Sequence, residues 1–383
     1  VATDSPLAIA GLGALSALGS DVASHRRAVG DGHLPFQPLG RLLGDDSPHS
    51  ARPGAWIEDR SLLNHRKWSP ATMAALHVAG QAITAARWSA DDLRDAALVL
   101  GTSRGNAAGW LGPWPGRRPF KLMAASNTIH SEPATAISIC HGITGPSHVL
   151  ASGCAAGLDA VGIAMMLVRC GAAPRALAVA VDLPLVPMLL DNYAASGLLT
   201  SSFRPDPYAD TTSGFIPAEG AAALAIEPGE GGFAQLLHYA CNSDAADPVG
   251  IPRDGGRTPQ LFENLFGPAG DIAAVCPHAT GTAVQREADP AMLRRAFPNG
   301  GPSLHPLKPL LGHSIGASGL LETVVLCSFL SEGLLPPNLA GLRAPSGFVM
   351  PESCLPVSGA VAKTAHGMGG HNALLVISMP LRL

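Results

Sequence analysis

Short apolar runs alternate with longer alanine-rich stretches along this chain. Ala97 to Leu100 ends in Gly101, and Ala176 to Val181 is bounded by Arg175 and Asp182; Ala221 to Ile226 and Ala373 to Ile377 have the same character. Apolar runs of this length between turn or charged residues predict buried strands. The opening run Leu7 to Leu12 predicts another. Ala71 to Ala86, Gly157 to Arg169 and Gly319 to Leu330 are longer and predict helices. Alternation of this kind predicts a layered α/β protein.

There is an internal echo. Cys154-Ala155-Ala156-Gly157-Leu158 opens one predicted helix, and Gly316-Ala317-Ser318-Gly319-Leu320 opens another. Both are small-residue starts followed by an apolar helix. The echo suggests two similar halves, residues 1–230 and 231–383, joined near the Glu227-Pro228-Gly229-Glu230-Gly231-Gly232 stretch. Alanine and glycine are common here, so the echo alone does not decide the point.

Composition narrows the class. A chain of 383 residues suits two fused halves better than one simple core. With 47% hydrophobic and 14% charged residues it can bury a large interior, and the low charge suggests a surface partly covered by another subunit. A formal net charge of −4 argues against nucleic-acid binding. The seven cysteines are dispersed and show no CxxC spacing, so neither a disulfide framework nor a zinc site is expected. The first apolar run has no basic segment before it, so it does not read as a signal peptide. The apolar stretch Ala160 to Val168 is too short to span a bilayer. The expectation is a soluble, cytoplasmic protein.

Four segments carry candidate chemistry. In the first, Gly145 to Gly157, a strand runs into a small-residue turn and a helix begins near Cys154. A thiol there is expected to feel the helix dipole, which lowers its pKa, and the turn frees N–H groups for an oxyanion. The alternative is a buried structural cysteine. In the second, His278-Ala279-Thr280-Gly281-Thr282 follows the apolar run Ile272 to Cys276. An imidazole there can donate to an oxyanion or act as acid or base, or it is simply a satisfied polar residue.

The third segment runs from Lys308 to Gly319 and contains His313, with Glu322 nine residues after that histidine. Lys308 and Glu322 are expected to set the imidazole's tautomer and orientation, unless they form only a helix cap and an ion pair. The fourth, Gly367-Met368-Gly369-Gly370-His371-Asn372, is a glycine-rich turn whose N–H groups can supply an oxyanion donor. It lacks GxGxxG with a following helix, so no nucleotide site is read.

In this order the four segments resemble the β-ketoacyl-carrier-protein synthases of the elongating type and the related polyketide ketosynthases. Ser126-Asn127, Arg204-Pro205, Gly214-Phe215, Glu219-Gly220-Ala221 and Gly11-Leu12-Gly13 add to the resemblance. It implies a thiolase-like fold, two fused halves in α-β-α-β-α layers, usually dimeric. It also implies a decarboxylative Claisen condensation. Cys154 takes an acyl group from an acyl carrier protein, and His278 and His313 bind the oxygen of the malonyl-derived enolate. The N–H groups of Cys154 and Met368 hold the oxyanion within the Gly367 to Gly369 turn, and Lys308 and Glu322 organise the site. Acyl and malonyl groups arrive on a carrier protein's phosphopantetheine, so neither an organic cofactor nor a metal is expected.

The sequence departs from the family pattern at Ala279, where glycine is usual, at Met368, where phenylalanine is usual, and at His371, where threonine is usual. The turn Ser152-Gly153-Cys154-Ala155-Ala156 lacks the common threonine and serines. The resemblance also reads the chain as trimmed between Trp110 and Lys121 and between Asp244 and Ile272. These changes suggest a specialised pathway, and a flexible Met368 suggests an unusual acyl chain. Rival readings are a partner subunit of the chain-length-factor kind, a degradative thiolase, and an acyltransferase that loads Cys154 without extending. The first usually lacks the cysteine, and the second needs another cysteine near the glycine turn. The partners expected are an acyl carrier protein and a second ketosynthase-like subunit, identical or not. Carrier docking points to Arg117, Arg118 and Lys121, or to Arg60, Arg66 and Lys67, although either cluster can be ordinary solvated charge.

Overall fold

The computed structural model describes residues 6–106, 128–266, 272–357 and 359–380. The predicted trimming near Trp110, the Arg117, Arg118 and Lys121 cluster, and Ser126-Asn127 lie outside the described residues.

Among the described residues, ten strands form one mixed sheet. They are β1 (Leu7–Ser16), β2 (Ala97–Gly101), β3 (Ser147–Leu150), β4 (Ala176–Asp182), β5 (Gly220–Pro228), β6 (Ala234–Ser243), β7 (Ile272–Cys276), β8 (Ser303–Leu304), β9 (Ala360–Gly367) and β10 (His371–Ser378). Across the sheet the order is β8-β7-β9-β10-β6-β1-β5-β4-β2-β3. The first five strands are therefore arranged as the second five are. In each set the first strand pairs antiparallel with the fifth and the fifth antiparallel with the fourth. The fourth then pairs parallel with the second, and the second parallel with the third. The two sets join where β1 pairs antiparallel with β6 through Leu7↔Leu236 and Ile9↔Ala234.

Side-chain alternation sets the layers. Along β4, Leu177, Val179 and Val181 face an outer cluster, while Ala176, Ala178 and Ala180 face the central one. The outer cluster packs against α1 (Pro70–Ala86), which begins with Pro70 after a Ser69 cap bonded to Thr72 N–H. The central layer holds α2 (Ala156–Arg169) and α4 (Ser318–Leu330) between the two sheet halves. Every residue of α4 is buried, so it carries no polar face. On the far side, Leu374 and Val376 of β10 face a third cluster with Met292 and Leu293 of α3 (Ala283–Ala296). The result is the expected α-β-α-β-α stack.

The central helices touch through glycine. A Cβ on Gly157 would lie 2.8 Å from the Gly316 carbonyl oxygen, and one on Gly319 would lie 2.9 Å from Leu158. Each echoing segment packs on the other, which explains why both demand small residues.

Candidate active site

Cys154 sits where β3 gives way to α2. Gly153 takes a left-handed φ of 63°, a 3-10 turn covers Gly153–Ala155, and the α-helix follows. The echoing segment repeats this backbone, with Ser152 at φ −92°, ψ 37° and Ser314 at φ −90°, ψ 36°. Ile315 stands where Gly153 does and is held at φ 48°, an uncommon conformation for a β-branched residue. His278 follows β7 after Pro277, and His313 follows the short helix Lys308–Leu311 and a left-handed Gly312.

The fold brings these three together. Cys154 Sγ lies 3.3 Å from His313 Nε2, and the rings of His278 and His313 meet edge to face with centroids 5.5 Å apart. All three side chains are buried. Phe215 packs edge-on against His313, with centroids 5.0 Å apart. A cavity of about 620 Å³ opens onto the cysteine and both histidines, with Arg104, Tyr193 and Met368 in its walls.

Two expectations about the electrostatics are corrected. The Cys154 thiol is not lowered: burial pushes it up to about 11, although Lys308 and Arg104 pull the other way. A helix start acts through partial charges, whereas burial strips most of the water from the thiolate. Nor do Lys308 and Glu322 hydrogen-bond to His313 among the described residues; they bond to each other. His313 Nδ1 lies 3.1 Å from the Ser318 hydroxyl, which also accepts from Ser314 N–H. Burial, reinforced by Lys308, holds His278 and His313 well below the usual histidine range, so both rings are neutral. His278 Nδ1 is buried with no hydrogen-bond partner among the described residues.

Lys308 and Glu322 lie beneath the site as a pair with N···O 2.6 Å. The other Glu322 oxygen is taken by Lys363 of β9, also at 2.6 Å. Burial opposes the carboxylate, but Lys308 and Lys363 together hold Glu322 below its usual value. The sequence reading missed Lys363. Its signal was a lysine inside the otherwise small and apolar run Ala360-Val361-Ala362, on a strand with buried residues on both faces. It also missed His366, which lines the cavity 5.4 Å from the His278 ring centroid and is held at about 3 by burial.

The glycine turn between β9 and β10 closes on the nucleophile turn. A Cβ on Gly153 would lie 3.7 Å from Met368 N, and one on Gly367 would lie 2.8 Å from the Ser152 carbonyl oxygen. Neither the Cys154 nor the Met368 amide donates to a main-chain acceptor among the turn and loop bonds of the described residues. Gly369 takes a left-handed φ of 86°, and the Met368 side chain is half exposed. His371 pairs with Asp159 of α2 at 2.8 Å, and Asp159 also accepts from Tyr239 and Ser152. That hydrogen bond raises the His371 pKa.

The donor atoms of Cys154, His278 and His313 all lie within 4.8 Å of one another, a spacing that a metal ion could also use. Of the described basic cluster, Arg60 is committed to the buried carboxylate of Glu219.

The beta-ketoacyl synthase N-terminal domain model matches residues 51–231, and the beta-ketoacyl synthase C-terminal domain model matches residues 233–341. The chain belongs to the β-ketoacyl synthase family. A putative polyketide beta-ketoacyl synthase 1 of Streptomyces virginiae is 29% identical over 235 residues, 57% of this chain and 55% of that protein. The actinorhodin polyketide putative beta-ketoacyl synthase 2 of Streptomyces coelicolor is 27% identical over 96% of this chain and 97% of its own length. Against the curated relatives that match first, the alignment spans about half of their length. A solved type II polyketide synthase acyl-carrier protein in complex with its ketosynthase, bound to the hexaketide, shares the fold. Its matched chain has a TM-score of 0.84 at 23% identity, covering 98% of this chain and 99% of that one. The β-ketoacyl synthase fold is thus the thiolase-like one expected. Among the described residues no helix is long and apolar enough to cross a membrane.

Proposed function

We propose that this β-ketoacyl synthase catalyses decarboxylative Claisen condensation between an acyl group on Cys154 and a malonyl group on an acyl carrier protein. The observation that carries the reading is the Cys154–His313 contact at 3.3 Å with His278 beside it. Cys154 attacks the acyl thioester, and its proton passes by His313 Nε2 to the leaving pantetheine sulfur. Malonyl thioester then loses CO₂, and the bonding pair enters the enolate. His278 and His313 donate to the enolate oxygen. The enolate carbon attacks the acyl-cysteine carbonyl, and the N–H groups of Cys154 and Met368 hold the oxyanion in the Gly367 to Gly369 turn. Collapse breaks the carbonyl–Cys154 bond, expels the sulfur as a thiolate that takes up a proton from solvent, and leaves a β-ketoacyl carrier protein. Ser318 at Nδ1 serves either tautomer, because a hydroxyl both donates and accepts. His313 therefore accepts at Nε2 in the first half-reaction and donates there in the second. Lys308 and Glu322 organise the site, and these steps need no resident cofactor or metal.

Residues 1–230 form the half with the nucleophile and 231–383 the half with both histidines. The working protein is a cytoplasmic dimer, of like or unlike ketosynthase subunits, in a polyketide or specialised fatty-acid pathway. Strand β3 ends the sheet, and exposed Ile139 and Met166 lie on helices packed beside it, which supports a subunit face there. The test is incubation with malonyl-carrier protein and a panel of acyl-carrier proteins, comparing wild type with Cys154→Ala. Acylation of Cys154 with β-ketoacyl product is expected only for wild type. Acylation without extension would mark a simple acyltransferase, and no acylation would leave a partner-subunit role.

A further inference from the structure

Three ionised side chains are buried together under the two histidines. Glu322 bonds Lys308 through one oxygen and Lys363 through the other. One lysine neutralises the carboxylate, so with both lysines protonated, against the burial that lowers Lys308, this buried triad carries one net positive charge. Lys363 Nζ is fully buried and has three close acceptors: Glu322, the Thr364 carbonyl at 2.9 Å and the Pro277 carbonyl at 3.2 Å. Pro277 is the residue whose carbonyl forms the peptide bond to His278. Lys363 therefore fastens the backbone of one histidine to the carboxylate of α4, the helix whose Ser318 holds the other.

The Lys308–Glu322 pair is already balanced, and Asp289, pushed up to about 6 by burial, acts on Lys363 less than Glu322 does, so the second buried cation is only partly offset. Its use lies in the reaction. Charge on the substrate is negative throughout decarboxylation, first on the carboxylate and then on the enolate. The same positive charge opposes protonation of the imidazoles that must donate to that enolate.

We propose that Lys363 is a positioning residue for the condensation: it anchors the Pro277–His278 peptide and supplies the net positive charge against which His278 and His313 stay neutral and the enolate forms. This rests on the condensation reading above. The other groups acting on the two rings are Lys308, His366 beside His278, and Cys154 beside His313. Cys276 and Glu322 lie against the lysines, and Asp289 accepts from Ala279 N–H and is pushed up to about 6 by burial. Arg104 and Asp182 act on the cysteine side.

The test is the pH dependence of malonyl-carrier-protein decarboxylation for wild type, Lys363→Met, Lys363→Arg and the double variant Lys363→Met/Glu322→Gln. Removing a positive charge makes a nearby imidazole easier to protonate. Activity that needs neutral rings is then lost at a higher pH, so the acid limb of Lys363→Met should move up by roughly one unit or more. One unit corresponds to about a tenfold loss of activity on that limb. Lys363→Arg keeps the charge and should keep the limb. The double variant leaves Lys308 alone, restores one net positive charge, and should return the limb toward wild type. A limb unmoved in Lys363→Met, or equally displaced in the double variant, overturns the proposal. If Lys363→Met does not fold, the double variant against Glu322→Gln alone carries the same comparison, with the limb expected lower in Glu322→Gln, whose net charge is higher. Wild type inactive at every pH would instead overturn the condensation reading.

Discussion

The Cys154 sulfur lies 3.3 Å from His313 Nε2 with both groups buried, so the nucleophile rests beside its proton acceptor rather than as a standing thiolate. Burial pushes that thiol up to about 11. Its ionised fraction therefore rises tenfold per pH unit through the neutral range. Alkylation of Cys154 by iodoacetamide, followed by peptide mass spectrometry, should accelerate in that proportion between about pH 6 and 10. A rate that levels off near neutrality would show a thiolate already formed, against the upward push of burial.

Ala279 adopts φ 47°, a left-handed conformation that disfavours any residue with a Cβ, while its N–H donates to Asp289 at 2.8 Å. Glycine keeps that hydrogen bond and removes the steric cost. Ala279→Gly should stabilise the protein by about 1 kcal/mol, read as a higher denaturation midpoint. A lower midpoint would mean that the surrounding turn already accommodates the methyl group.

The contact between α2 and α4 predicts a larger effect of the opposite sign. A methyl at Gly157 would meet the Gly316 carbonyl oxygen at 2.8 Å and Leu320 N at 3.0 Å, both main-chain atoms that cannot swing aside. Gly157→Ala should cost about 1–3 kcal/mol of stability and slow acyl loading of Cys154. Urea denaturation and intact-protein mass spectrometry check the two effects. Unchanged values in both would show that the helices have room to separate.

Much of the fold was legible because its strands are short and buried. The run at β4 and the run at β10 read as strands from their apolar continuity alone, and α4 read as a helix from its length. Cys154, His278 and His313 were found from local turns and then confirmed as neighbours in space. The thiol's pKa was not legible, because sequence spacing carries no measure of burial depth. The Ser318 partner of His313 was hidden inside a run of small residues that also serves close helix packing. Lys363 was hidden because a strand pattern marks which face a residue takes, and not which carboxylate waits there on another element.

Nucleophile and imidazole belong to different helical units. Cys154 lies in the 3-10 turn that leads into α2, while His313 is tied to α4 by Ser318, and the two helices meet through Gly157 and Gly319. The sulfur–nitrogen gap is thus fixed by how closely two helices seat, with no covalent linkage or shared loop to correct it. Chemistry at Cys154 becomes a gauge of that seating: a change that parts the helices by a few tenths of an ångström, however far from the cavity, should silence the thiol while the protein still folds.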